Sequence, residues 1–250
     1  MSSKPLVVAM TGGTRGIGRA VAELFHRRGA SVAVCARSRP DPALPSDVPS
    51  YRVDVRDRRA MEAFVASVVE RFGALDVFVN CAGVSRWRAL EEIDEAFVRE
   101  VLDTNIVGTL WGCAAAAKVM GEGGCIVNVS SLAGKRGSAN NSVYCAAKFA
   151  VNGVTQALAK ELGPRGVRVN AVCPVYVETE QVLAALAEPA SPAKGARVAD
   201  YLETFTATQT ALERLPSAQE VAEVVYFLAG PAASAITGQC LNVDCGTLPQ

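Results

Sequence analysis

From Leu6 to Asp244 the chain alternates short apolar runs with amphipathic segments, and this alternation is the strongest constraint on its fold. Leu6-Val7-Val8-Ala9-Met10 is an unbroken apolar run of strand length, as a strand covered on both faces requires. Past a glycine-rich turn, Ile17, Ala20, Val21, Leu24 and Phe25 recur at helical spacing, and Gly29 marks the stop. Further strand patterns fall at 31–37, 51–55, 76–80, 125–130, 167–172 and 239–244. Helical patterns include 61–72, 150–162 and 218–228; the last opens on the capping box Ser217-Ala218-Gln219-Glu220 and closes at Gly230-Pro231. Seven strands interleaved with helices imply an α/β chain, a doubly wound parallel sheet with helices on both faces. With 250 residues, half of them hydrophobic, no repeat and no linker, the whole length reads as one domain.

Two stretches break the pattern. Residues 39–50 carry four prolines and cannot hold a helix, so the crossover there reads as a loop. Residues 188–200 interrupt a segment, about 180–215, that is long enough to act as a lid or as a plain surface excursion. Charge balances at 25 basic against 25 acidic residues, which gives no reason to expect nucleic acid or an acidic membrane surface as partner. No apolar run reaches membrane-spanning length and no signal-like profile opens the chain, so the expected location is cytoplasmic. Eight cysteines without a Cys-x-x-Cys pair read as small core residues, and His26, the only histidine, as structural. No metal site is expected.

Thr11-Gly12-Gly13-Thr14-Arg15-Gly16-Ile17-Gly18 lies between the first strand and helix, where backbone N–H groups at a helix start can hold a pyrophosphate. Gly12 fits the tight turn, Gly16 the approach of a phosphate, and Gly18 the packing of helix on sheet. The second strand ends Cys35-Ala36-Arg37, without the carboxylate that would bind a ribose 2′-hydroxyl. Arg15 and Arg37 instead suit a 2′-phosphate, which points to NADPH (NADP+) rather than NADH, within a Rossmann-type domain.

With these residues in view the chain resembles the short-chain dehydrogenase/reductase family over essentially its full length. The glycine turn matches that family's TGxxxGxG, Asp54-Val55 its adenine-contacting pair, and Asn80-Cys81-Ala82-Gly83 its NNAG with cysteine for the second asparagine. Asn105 falls at its helix asparagine, Ser131 ends the fifth strand, and Tyr144-Cys145-Ala146-Ala147-Lys148 is its YxxxK. The resemblance implies cofactor contacts from Thr14, Ile17, Ala82, Gly83, Pro174, Val177 and Thr179 as well. It also implies hydride transfer between a nicotinamide and a carbonyl carbon, with Tyr144 as the proton donor. Ser131 would hydrogen-bond the carbonyl, Lys148 would hold the ribose, and Asn105 would place a water in the proton relay. Tyr144 and Lys148, four apart on a helix, share a face, and an ammonium there should lower the phenol's pKa.

Two departures stand out: Val175 replaces the glycine usual after Pro174, and Asp244-Cys245-Gly246 replaces Asp-Gly-Gly. Val175 would either strain a backbone that needs positive φ or narrow the pocket beside the nicotinamide. The pocket should be lined from 84–87, 132–133, 138–141, 175–176 and the 180–215 segment. Lys135-Arg136 and Arg86 with Arg88 read as solvated surface charge or as contacts for a carrier protein's phosphopantetheine or an acidic partner. The nearest type is the 3-oxoacyl-(acyl-carrier-protein) reductase, which implies a keto reductase acting on a small-molecule ketone, carrier-bound or free, as a homotetramer. An alcohol or sugar dehydrogenase working oxidatively and a non-catalytic NADPH sensor are the alternatives.

Overall fold

The computed structural model describes residues 5–37 and 44–249. Its strands are β1 (Val7–Thr11), β2 (Ser31–Ala36), β3 (Ser50–Arg52), β4 (Val77–Asn80), β5 (Cys125–Val129), β6 (Arg168–Pro174) and β7 (Cys240–Val243). The α-helices are α1 (Gly16–Arg27), α2 (Arg58–Phe72), α3 (Glu95–Leu102), α4 (Gly108–Val119), α5 (Ser142–Leu162), α6 (Glu180–Leu186), α7 (Val198–Gln209) and α8 (Ala218–Ala229). All seven strands pair in parallel in the order β3-β2-β1-β4-β5-β6-β7.

The continuous apolar strands serve two cores at once, because successive side chains point to opposite faces. Val8, Met10, Val32 and Val34 meet Val21, Leu24 and Phe25 of α1 and Val221, Val225 and Leu228 of α8. Val7, Ala9, Ala33 and Cys35 meet Met61, Phe64 and Val68 of α2, Cys113 and Ala116 of α4, and Leu162 of α5. Strand order reverses between β1 and β4, and the loops at the carboxyl ends of these two strands part there and leave a cleft.

The expected elements stand, with shifted edges. β1 begins one residue late, leaving Leu6 exposed and taking in Thr11. β3 keeps only three residues; Val53 and Val55 leave the ladder and are buried against the α2 side instead. Residues 44–49 form turns and no helix, while the remainder of the proline-rich stretch, 39–43, lies outside the described residues. The capping box of α8 is present in both directions, Ser217 Oγ accepting from Glu220 N and Glu220 accepting from Ser217 N. His26 pairs with Asp47 (2.9 Å), and all eight cysteines are free, five of them buried. Among the described residues no helix is long and apolar enough to cross a membrane.

One element has no counterpart in the sequence pattern. Between α3 and α4 the helix widens into a π turn, Asp103–Val107. The 188–200 break is also resolved: α6 and α7 flank an irregular turn, and both pack on Trp87 through Ala185, Leu186 and Leu202.

Candidate active site

Thr11 closes β1 and α1 begins at Gly16, so the glycine turn delivers a helix N-terminus to the end of the sheet. Gly12 (φ +67°) and Gly16 (φ +55°) occupy the left-handed region that side chains disfavour. A Cβ on Gly12 would also lie 2.8 Å from the backbone nitrogen of Ala82. Gly18 serves differently from the expectation: a Cβ there would collide with the carbonyl oxygen of Gly12, so it seats the helix on the turn and not on the sheet. α1 has neither an acidic residue in its first turn nor a side-chain cap at Arg15, which leaves its free N–H groups and positive end to a ligand. Arg15 and Arg37 are both exposed and both line the cleft at this end.

The opposite wall comes from β5 and α5. Tyr144 and Lys148 sit one turn apart; Lys148 Nζ is buried, donates to the carbonyl of Val129 (2.9 Å) and lies 5.6 Å from the Tyr144 ring centroid. Ser131 follows β5 and its Oγ accepts from Ala133 N (3.1 Å), fixing the strand end. The π turn turns both Thr104 and Asn105 toward the cleft. Asn105 Nδ2 donates to the carbonyls of Val84 and Val101 (2.9 Å each), while its Oδ1 is buried without a partner among the described residues. Such an orphan acceptor is a place for an ordered water.

Burial pushes the Tyr144 phenol up to about 12, against hydrogen bonding from Ser131 and Ser85. Burial likewise pulls Lys148 down to about 8. The expectation that the ammonium would lower the phenol is therefore corrected: desolvation outweighs it, and Lys148 spends its hydrogen bond on Val129. Tyr144 thus holds its proton at neutral pH, the state a proton donor needs.

The cleft has a volume of about 380 Å³ and brings together seventeen of the nineteen residues singled out above. Asp54 and Asn80 are the exceptions. Arg56 forks onto both oxygens of Asp54 (2.9 and 3.0 Å) and holds its carboxyl below the usual range, while Val53 and Val55 reach the cleft in its place. Asn80 lies beneath the floor, donating to Asn128 Oδ1 (2.9 Å) and to Cys113 Sγ (3.3 Å). On the substrate side Trp87, Leu132, Val175, Tyr176, Val182 and Phe205 form the wall. Arg86 was expected there but is drawn away to Glu188 (2.7 Å) and Glu100 (3.6 Å). Val175 is not among the residues of positive φ and bonds to Val243 O (3.3 Å), so it narrows the pocket without straining the backbone. Thr104 escaped the sequence reading; its only signal was adjacency to Asn105.

The glycine cradle and the helix N-terminus beside it fit the phosphates of a nicotinamide dinucleotide. A family profile described as enoyl-(acyl carrier protein) reductase matches residues 12–247. The chain is 33% identical over 253 residues to the 3-oxoacyl-(acyl-carrier-protein) reductase of Vibrio cholerae serotype O1, covering 98% of each. Among solved structures it is similar to a variant of actinorhodin polyketide ketoreductase with NADPH (TM-score 0.88, 35% identity, 99% of each chain covered). It is also similar to ligand-free aldohexose dehydrogenase of Thermoplasma acidophilum (TM-score 0.89, 29% identity, 99% of this chain and 98% of that one).

Proposed function

The chain belongs to the short-chain dehydrogenase/reductase family, and on that premise we propose that it is an NADPH-dependent ketone reductase. The observation that carries this reading is the protonated, half-buried phenol of Tyr144, which lines an arginine-mouthed cleft together with Ser131. The catalytic residues are Asn105, Ser131, Tyr144 and Lys148. When bound, the reduced dinucleotide supplies a hydride to the carbonyl carbon. Ser131 Oγ and the Tyr144 hydroxyl hold the carbonyl oxygen, and as negative charge grows there Tyr144 gives up its proton. The Lys148 ammonium lowers the cost of the phenolate left behind, and a water on Asn105 Oδ1 begins the path by which Tyr144 regains a proton. Gly12, Thr14, Arg15, Gly16, Ile17 and Gly18 hold the phosphates, with Arg37 on the 2′-phosphate.

The substrate is a ketone of the 3-oxoacyl thioester or polyketide type, which the likeness to two such reductases supports. The likeness to a sugar dehydrogenase favours a second reading, oxidation of an alcohol or sugar. Arg15 and Arg37 and the protonated Tyr144 weigh toward reduction. The reading includes a homotetramer in the cytoplasm; exposed Leu110 of α4 and Phe149 of α5 are the apolar surface such an assembly would cover, and light scattering checks it.

The test is turnover of NADPH and NADH with a 3-oxoacyl thioester, a cyclic diketone and a ketosugar, followed by nicotinamide absorbance. NADPH is expected to be preferred by tenfold or more, and Arg37→Asp to remove that preference, since a bidentate guanidinium–phosphate pair becomes a repulsion. Tyr144→Phe should lower kcat by about 10²–10⁴-fold while cofactor binding persists. Preserved turnover in Tyr144→Phe would end the proposed mechanism.

A further inference from the structure

Resting on the reductase reading, the charges of the cleft support a finer assignment. Among the described residues its lining contains no Asp or Glu and four cations, Arg15, Arg37, Lys148 and Arg136. Three of these serve the dinucleotide or the proton donor. Arg136 serves neither. It stands between Ser131 and Tyr144, after the short turn Leu132–Gly134, and is held by its backbone: its N–H donates to Leu132 O (3.0 Å) and its carbonyl accepts from Cys145 Sγ (4.0 Å). Its half-buried guanidinium has no hydrogen bond or ion pair among the described residues.

Position separates it from the phosphate arginines. Arg37 follows β2 and Arg136 follows β5, with β1 and β4 between, so three strand spacings, roughly 14 Å, divide their strands. Arg136 lies instead near Tyr176, whose phenol feels its charge, and Tyr176 packs edge-on against Phe205 (5.0 Å) in the same wall. Nearby arginines are already committed, Arg86 to Glu188 and Glu100, and Arg88 to the face of Phe97 (5.1 Å). A guanidinium has five donors in a planar fork that matches a carboxylate, and here that fork meets no protein acceptor.

We propose that Arg136 anchors a carboxylate of the substrate, so that the ketone reduced is an anionic one, with a ring or chain on Tyr176 and Phe205 and its carboxylate away from the reacting carbonyl. Calorimetric titration of the enzyme–NADP+ complex with 3-oxocyclohexanecarboxylate and 4-acetylbenzoate, each beside its carboxamide, tests this. At least one carboxylate should bind about ten- to a hundredfold more tightly than its amide, the range of a bidentate charge-assisted pair. Arg136→Gln should bring the pair level with amide binding unchanged, and Arg136→Lys should recover part of the difference. In turnover the discrimination should appear in KM with kcat unaltered. Equal affinity or no binding in the wild type, or a preference that survives Arg136→Gln, would overturn the assignment. If carboxylate preference is absent while NADPH-dependent reduction persists, only the role of Arg136 falls. If carboxylates bind through Arg136 and no ketone is reduced, the reductase reading falls alone.

Discussion

At the residue scale the site is a set of groups held in states that water would not favour. Lys148 titrates at about 8 in the fold against 10.5 for an ordinary lysine, because its ammonium is desolvated and faces no carboxylate. The folded state therefore binds fewer protons than the unfolded one between those values, and stability contributed through this group rises with pH across that window. The penalty is fully present below pH 8. Lys148→Met should relieve it, raising stability in urea at pH 7 by about 1–3 kcal/mol after the lost bond to Val129, while abolishing turnover. Activity runs the other way: reduction should be level below pH 8 and decline above it as the ammonium is lost, with Tyr144 at about 12 contributing nothing in that range. A pH profile of kcat/KM decides this. Cys245 is a separate case of local cost. Its φ of +52° lies in the left-handed region, so Cys245→Gly should stabilise the protein by about 0.5–1 kcal/mol in the same urea assay. The residue types at Ser131, Tyr144 and Lys148 were legible through the family resemblance, since the four-residue spacing by itself is ordinary on a helix surface. Their protonation states were not, because burial is a property of the whole packing.

At the element scale α5, which carries the proposed proton donor, is positioned by polar contacts beneath it. Asn80 of β4 donates to Asn128 of β5 (2.9 Å), Asn128 donates to Thr155 Oγ1 (2.9 Å), and Thr155 donates to Val151 O (2.8 Å) within α5. Asn128→Ala would leave buried groups unpaired on both sides, and we expect a loss of about 2–3 kcal/mol in denaturant titration. The turn between α6 and α7 is fastened in a similar manner, Glu188 accepting from Trp87 N (3.0 Å) and pairing with Arg86 (2.7 Å). Glu188→Gln should raise the KM for ketone severalfold with a smaller change in kcat, and should hasten proteolysis of the 187–197 turn. Strands and most helices were legible from period, since each buries an apolar stripe. The start of α5 was legible only through the Tyr-x-x-x-Lys resemblance, because its first turns present half-buried Tyr144 and buried Lys148 to the cleft and leave a weak apolar period. The π turn at Asn105 was not legible, because a single widened turn leaves no period to read.

At the scale of the whole molecule, the sheet order collects the loops of six strands over one end, and every proposed catalytic group lies there. The class of fold and its cleft were legible because the strand–helix alternation and the glycine turn fix them together. The identity of the cleft's walls was less so, since residues as distant as Trp87 and Leu202 meet only through the packing of α6 and α7. The lack of acids among the described residues of the cleft has a consequence for approach as well as for binding. Cations with no compensating carboxylate focus a field outward, so anionic cofactor and substrate should be drawn in faster than neutral molecules of the same size. That attraction is screened by salt, and encounter rates measured by stopped flow should decline with ionic strength for NADPH yet stay nearly constant for an uncharged ketone.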